Sequence, residues 1–321
     1  MRKHAWLLTN LALLLVTAGA GFFVITYRQD IQDWWALRQY EAPADIKQIA
    51  DETTMIGRGR DLFYVSQPQV EASQDFNMHC SRTGEKTVVL GCYTAQRIYL
   101  YDVTDARLYG VKQVTAAHEM LHAAYERMND GDKAKLDTML EAELTRVTDA
   151  RLKELIALYA KTEPGEKLNE MHSILGTEYG NLSPDLEKYY KQYFTDRSKV
   201  VDFANQYRGT FEASQAKIAQ LEAQIEALKK QIDTNTGLLN QQKAEIDADV
   251  ARLNTLRATD VNEYNKAVPG YNAKASAYNK LVLATRGIID HYNALVVEHN
   301  SEAAAQNSLY NSLDSHYQTV N

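Results

Sequence analysis

Apolar side chains recur every seven residues through the second half of the chain. The repeat runs without a miss through Phe211, Ile218, Ile225, Ile232, Leu239, Ile246 and Leu253. A seam of this kind is typical of a helix in a coiled coil. Asn235, Gln242 and Asp249 fall at the companion seam positions, where polar residues weaken the packing and fix its register.

A second seven-residue repeat follows, built from Tyr-Asn pairs. The pairs begin at Tyr264, Tyr271, Tyr278 and Tyr292. Val268-Pro269-Gly270 predicts a bend within this repeat, because proline removes a helical hydrogen bond, although the spacing of seven continues across it. The bend predicts either a helical hairpin or a kinked helix, and the pattern does not choose between them. We expect residues 201–321 to form a helical coiled-coil module that is capable of self-association.

The pattern between this module and the first thirty residues is mixed. Residues 28–60 have short apolar stripes at helical spacing. Three segments rich in β-branched and aromatic residues predict a small sheet: residues 62–65, 87–90 and 97–103. Helical spacing returns in residues 113–128, 136–159 and 167–195. The strand 97–103 precedes the first of these helices, so it is expected to line a cleft beside that helix.

The first residues predict the compartment. Residues 1–4 are basic and form a cytoplasmic tip, and residues 5–27 then run without a charged side chain. A run of this length crosses a bilayer whose apolar core is roughly 30 Å thick. Residues 5–27 are therefore predicted to anchor the chain in the lipid bilayer of a cell membrane as a single pass, with the remainder extracytoplasmic. A cleaved signal peptide, with Ala18-Gly19-Ala20 at the cleavage site, is the alternative.

Composition narrows the classes of partner and supports export. A formal charge of −7, with no basic patch, argues against binding to nucleic acid. Gly and Pro number only 15 and 5, which favours long helices. Cys80 and Cys92 are the only cysteines and flank a predicted hairpin with a turn near Gly84. We expect them to form a disulfide, which an oxidising compartment permits.

One five-residue stretch specifies a chemistry by residue type and spacing. His118-Glu119-Met120-Leu121-His122 follows the pattern HExxH. Residues four apart lie on one face of a helix, so His118 and His122 can bind one zinc ion while Glu119 points toward a bound water. A catalytic zinc site normally has three protein ligands, so a third must come from elsewhere in the chain.

A downstream segment resembles one that supplies this third ligand in a known family. Asn169-Glu170-Met171-His172-Ser173 resembles the Asn-Glu-x-x-Ser segment of thermolysin-like gluzincins, over a region of roughly residues 97–195. The resemblance implies a zinc peptidase with His118, His122 and Glu170 as ligands and Glu119 as general base. Glu178 is the alternative third ligand. Electrophilic help for the oxyanion is expected from one of His172, Tyr179, Tyr189 and Tyr190.

These expectations combine into one prediction. The fold class is α+β, with a zincin-like catalytic domain over residues 28–200, an N-terminal transmembrane helix and a C-terminal coiled coil, and mostly α overall. The function is that of a membrane-anchored zinc metallopeptidase acting on proteins or peptides. The alternative is a structural or tethering protein of the cell envelope whose zinc site is vestigial or structural. A structural zinc would have four protein ligands.

Overall fold

The computed structural model describes Thr17 and residues 27–80, 89–162 and 164–316. Helices dominate the first part of the chain. They are α1 (Arg28–Gln39), α2 (Ala44–Glu52), α3 (Gly57–Val65), α4 (Ser73–Cys80), α5 (Val111–Glu126), α6 (Asp130–Leu144), α7 (Ala150–Thr162), α8 (Lys167–Glu178) and α9 (Pro184–Tyr190). Two much longer helices follow, α10 (Ser198–Thr259) and α11 (Val261–Leu313).

The strands of the described residues form one small sheet. They are β1 (Gln69–Glu71), β2 (Gly91–Thr94) and β3 (Arg97–Tyr101), in the order β1-β3-β2. β3 pairs with β1 in parallel and with β2 antiparallel, so Cys92 lies opposite Tyr99. Strand β3, which was expected to line a cleft, is therefore the central strand, and its backbone groups are used on both sides. Among the described strands, β2 and not β3 lies at the edge of the sheet beside α5, which corrects the expectation.

The predicted α+β class is wrong, although a mostly helical chain is confirmed. The described sheet has strands of only three, four and five residues. Residues 62–65, predicted to be a strand, form the last turn of helix α3. A short apolar run is compatible with a buried helix as well as with a buried strand. In this chain, tertiary packing favours the helix. Of the predicted strand 87–90, residues 87 and 88 and the turn near Gly84 lie outside the described residues.

The predicted membrane anchor is also not supported. Among the described residues, no helix combines the length and the apolar character needed to cross a bilayer. Helix α1 spans only 12 residues and carries charged side chains, among them Asp30, Asp33 and Arg38. Of the segment 5–27, only Thr17 and Tyr27 are described, and the tip 1–4 lies outside. The predicted transmembrane helix and the single-pass placement in a membrane are corrected accordingly.

Helix α5 lies at the centre of the hydrophobic core. Ala116, Ala117, Leu121 and Ala124 are completely buried. Their small or flexible side chains allow α3, α8 and the strands β2 and β3 to pack against α5 from several directions. A helix that is apolar on nearly all faces is expected at such a position. The chain thus holds α5 rigidly, and with it the HExxH residues.

The predicted disulfide is confirmed. Cys80 at the end of α4 is bonded to Cys92 in β2, and both are almost fully buried. The bond closes a loop whose ends are 12 residues apart and ties β2 to α4. Arg127 holds the next residue of β2, because its Nη1 donates to the Tyr93 hydroxyl at 2.6 Å. Strand β2 is therefore fixed at two successive residues.

Replacing both Cys80 and Cys92 by Ala is expected to lower the free energy of unfolding by about 3 kcal/mol, because the loop is no longer closed in the unfolded chain. Urea unfolding followed by circular dichroism measures this change. Dithiothreitol should destabilise the unmodified chain to a similar extent and leave the double variant unchanged. Equal stability of the variant and the oxidised parent chain would contradict this prediction.

The chain divides into two compact units. The first unit contains the chain up to Thr210 together with the segment from Leu309, and the second unit is Phe211–Ser308. Within the first unit, the Asn77 amide donates to the Ser315 carbonyl at 2.8 Å, and the Ser315 hydroxyl bonds to Asn77 Oδ1 at 2.8 Å. Ser312 also lies 3.4 Å from Asp105. These contacts hold the segment after Leu309 against the rest of the first unit.

The second unit is a helical hairpin. Asn235 on α10 donates to Thr285 on α11, and Lys274 pairs with Asp249 at 2.7 Å, so the two helices run antiparallel. The chain reverses at Asp260, whose carboxylate accepts from the backbone N–H groups of Asn262 and Glu263 and so caps α11. Pro269 lies inside α11 and does not form the turn. The structure therefore resolves the choice in favour of a hairpin, with its bend nine residues earlier than Pro269.

Candidate metal centre

Three side chains that can bind a metal converge between helices α5 and α8. His118 and His122 lie one turn apart on α5, and Glu170 reaches them from α8. Glu170 Oε2 is 3.7 Å from His118 Nε2, and Glu170 Oε1 is 3.5 Å from His122 Nε2. One potential ligand atom from each residue lies within 4.8 Å of the other two. These three residues could hold a metal ion.

Close packing of the two helices brings Glu170 to the histidines. Gly176 of α8 faces α5, and a Cβ atom at this position would lie 2.5 Å from Leu121 Cδ1 and 2.8 Å from Tyr190 Cε1. Both distances are far below a van der Waals contact, so a side chain at this position would require Leu121 and the buried ring of Tyr190 to shift. Gly176, six residues after Glu170 on the same helix, therefore contributes to the close approach that brings the carboxylate to the histidines.

The histidine nitrogens are arranged as metal ligands require. The two Nε2 atoms face each other at 3.0 Å, which two imidazoles tolerate only with a proton or a cation between them. His122 Nδ1 lies 2.9 Å from Asn169 Oδ1, an acceptor, so Nδ1 carries the proton and Nε2 presents its lone pair. Asn169 Nδ2 donates to Glu166 Oε2 at 3.1 Å, which fixes the amide in this orientation.

Burial and neighbouring charges together set the pKa of each of the three side chains. Burial lowers the pKa of His118, but contact with Glu170 and the charge of Glu119 outweigh it and raise the pKa to about 9. Burial and the neighbouring His118 lower the pKa of His122 to about 4. Burial raises the pKa of Glu170, yet His118 and His122 hold it below its ordinary value. The group therefore combines an anionic carboxylate with two imidazoles, and a metal ion would have to displace the proton of His118.

Glu119 lies next to this group without belonging to it. Its side chain is buried, with 6% of its surface exposed, and it faces strand β2. A Cβ atom at Gly91 would lie 2.4 Å from Thr115 Cγ2 and 3.1 Å from Glu119 Oε1. The absence of a side chain at Gly91 thus leaves room for the Glu119 carboxylate between α5 and the edge strand.

Glu178, the alternative third ligand, points to other partners. Its Oε2 atom lies 2.9 Å from Arg151 Nη1 and 3.7 Å from Arg208 Nη1. The group of possible metal ligands includes Glu170 and not Glu178. The two arginines neutralise the Glu178 carboxylate, whereas the partners of Glu170 are the two histidines.

The residues expected to stabilise an oxyanion bond mainly to one another. His172 is fully buried and its Nε2 lies 3.0 Å from the Tyr189 hydroxyl. The Tyr190 hydroxyl donates to the His172 carbonyl at 2.6 Å. Tyr179 packs in the hydrophobic core. Three of these four residues thus form a hydrogen-bonded cluster within the protein interior, and assigning an oxyanion role to any of the four stays a prediction.

Sequence reasoning missed two residues that support the ligands. Asn169 orients His122, and its position directly before Glu170 was the available signal. Tyr159 on α7 interacts with the Glu170 carboxylate and helps to keep it ionised by lowering its pKa. Tyr159 precedes Glu170 by 11 residues on another helix. Nothing in the local pattern could have predicted that contact.

Replacing Asn169 by Ala is expected to weaken metal binding by about 10–100-fold, because His122 loses the acceptor that fixes its tautomer. Competition with a chromogenic chelator measures the affinity. Asn169→Asp keeps an acceptor oxygen and should restore most of the affinity, whereas Asn181→Ala, in the exposed loop after α8, should have no effect. Unchanged affinity in Asn169→Ala would show that Asn169 does not position the ligand.

Comparison of the chain with known proteins gives no match among family models, curated proteins or solved structures. The likeness to gluzincins therefore rests on the HExxH residues and on the segment that contains Glu170.

Proposed function

We propose that this chain is a zinc-dependent peptidase. One observation carries the proposal: two imidazoles and a carboxylate converge on one point, with the buried carboxylate of Glu119 on the same helix and outside the ligand group. Two His and one Glu form a donor set known for catalytic zinc, which leaves the fourth position open. No fourth His, Cys, Asp or Glu of the described residues joins the group.

Zinc, when bound, would supply a Lewis acid that polarises a carbonyl and increases the acidity of a water molecule. His118, His122 and Glu170 would hold it. Asn169 keeps Nε2 of His122 free of a proton, and Tyr159 keeps Glu170 ionised. These groups favour the states of His122 and Glu170 that binding requires, whereas His118 would have to lose its proton.

Glu119 would act as the general base. Its carboxylate accepts a proton from the attacking water and afterwards donates that proton to the leaving nitrogen of the peptide. Low solvent exposure supports this role, because a buried carboxylate is shielded from bulk water. Its neighbour Gly91 has no side chain and packs closely against the carboxylate, so strand β2 lies directly beside the proposed base.

The edge of β2 would orient an extended peptide. The Tyr101 N–H donates to the Leu90 carbonyl at 2.9 Å, so Leu90 and Cys92 direct their backbone groups toward β3. Gly91 and Tyr93 consequently direct theirs away from the sheet. An extended peptide that pairs with these two residues would lie beside Glu119. Only a chain with an exposed backbone can bind in this way, which favours peptides or unfolded segments as substrates.

A structural zinc site is the less favoured alternative. It requires four protein ligands, whereas the converging group of the described residues has three. A metal held by three protein ligands would keep a position for substrate.

Removal and return of the metal test the proposal. We expect one zinc ion per chain by elemental analysis, cleavage of an unfolded protein or a peptide library by the loaded chain, loss of cleavage with a chelator, and recovery when zinc is returned. Mass spectrometry of the products identifies the bonds cut. A fully zinc-loaded chain that cuts no peptide, or a cleavage activity that survives complete removal of the metal, would refute the proposal.

A further inference from the structure

We propose that a pocket of the first unit, separate from the metal centre, binds a small organic carboxylate that carries an apolar chain. The pocket has a volume of about 290 Å³ and lies between α3, α6 and α9. It contains neither a member of the ligand group nor Glu119, so the inference does not rest on the proposed peptidase function. We call it the methionine pocket, after Met128 and Met139 in its wall.

The interior of the methionine pocket is apolar. Met128, Met139 and Tyr189 are half-buried and provide accessible surface, while Leu136 and Tyr193 form a nearly fully buried floor. The Tyr189 hydroxyl bonds to Tyr193 at 3.1 Å and lies 3.0 Å from His172, so it is already satisfied inside the protein. The aromatic rings and the flexible methionine side chains therefore remain for contact with an apolar group.

The rim of the pocket carries one uncompensated positive charge. Lys135 pairs with Asp132 at 3.3 Å, so these two charges cancel. Arg58 also lines the pocket, and in the part of the chain that the structure describes its guanidinium forms no ion pair. Arg58 and Tyr189 line the same pocket, so the guanidinium and the ring border one space.

Charge and size together define the class of ligand. A guanidinium prefers a planar carboxylate, to which it can donate two parallel hydrogen bonds. The apolar wall favours a hydrocarbon group attached to that carboxylate. A volume of about 290 Å³ is at the lower end of the range for small-ligand sites, roughly 300–1,000 Å³. A medium-chain carboxylate or the last, apolar residue of a peptide fits these limits.

Titration of the full chain with octanoate tests the proposal, with the methionine methyl groups labelled with ¹³C and observed by NMR. We expect saturable shifts of the methyl signals of Met128 and Met139. Met78, whose side chain is 64% exposed, should not shift because it lies outside the pocket. Octylamine has the same chain with the opposite charge and should bind at least about tenfold more weakly. Tighter binding of N-acetylleucine than of octanoate would identify a peptide terminus as the source of the carboxylate, and the reverse would identify a fatty acid.

Two matched variants separate charge recognition from general attraction. Arg58→Gln should weaken octanoate binding by about tenfold and leave binding of octylamine no weaker than before. Lys188→Gln removes the same charge from an exposed position on α9 outside the pocket and should leave octanoate binding within about twofold. Equal binding of octylamine and octanoate, equal shifts at Met78, or equal losses in the two variants would overturn the proposal.

Discussion

Replacing Glu119 by Gln is expected to reduce peptide hydrolysis by the zinc-loaded chain by about 10²–10⁴-fold, the usual contribution of a general acid or base. Glutamine has the same shape as glutamate, but its amide cannot accept the proton of the attacking water. Since Glu119 is not a member of the ligand group, zinc affinity should stay within about twofold. The measurement compares kcat/KM on one peptide, and zinc affinity, between the parent chain and the variant.

Two controls make this result specific. Glu141→Gln changes an exposed glutamate on α6 and should alter neither quantity. Thermal unfolding should give similar midpoints for all three proteins, since Gln fills the space of Glu beside Gly91. A Glu119→Gln variant that retains full activity would exclude Glu119 as the base. A variant that loses zinc would instead make Glu119 a ligand.

The second large effect is expected at Glu170. Glu170→Gln should lower zinc affinity by more than about 100-fold, because loss of a supporting residue alone costs about 10–100-fold. Hydrolysis at low zinc concentration should decline in parallel. Glu178→Gln is the matched control, since it makes the same change near the other end of α8 and should leave zinc affinity unchanged.

The control variant Glu178→Gln is expected to change thermal stability instead of zinc affinity. Glu178→Gln removes the partner of Arg151 and Arg208, so it should lower thermal stability slightly without affecting the metal. Isothermal titration with zinc and a thermal melt give the two readings. Loss of zinc in Glu178→Gln with retention in Glu170→Gln would reverse the ligand assignment.

The metal centre could be predicted from the sequence as far as local spacing determines geometry. His118 and His122 are four residues apart on a helix, so their position on a common face follows from the helical repeat alone. Glu170 and Glu178 are both on α8, and their spacing did not distinguish them. Their different partners result from the approach of α8 to α5 at Gly176 and from two arginines on other helices. Both are tertiary contacts, which local spacing in the sequence does not determine.

The errors in the fold have similar physical causes. The apolar character of residues 62–65 is compatible with a strand and with a helix. Only packing against α5 determined that they are helical. The sequence predicts a bend at Val268-Pro269-Gly270, as a hairpin or as a kink, yet a proline within a helix removes only one hydrogen bond and its neighbours can continue the helix. The chain turns at Asp260 because its short carboxylate can cap the next helix. Many other polar residues of the sequence could cap a helix in the same way, so Asp260 does not stand out. Cys80 and Cys92, by contrast, left only one intramolecular pairing.

The contact between Asn77 and Ser315 has a consequence for the order in which the chain folds during synthesis. The part of the first unit up to Thr210 leaves the ribosome early, but the segment that starts at Leu309 emerges only after the 98 residues of Phe211–Ser308. At roughly 5–20 residues per second, this interval lasts about 5–20 s. Throughout that time the surface around Asn77 and Asp105 lacks its partner. Synthesis of the segment after Leu309 therefore completes a compact unit whose first part emerged before the whole of the second unit.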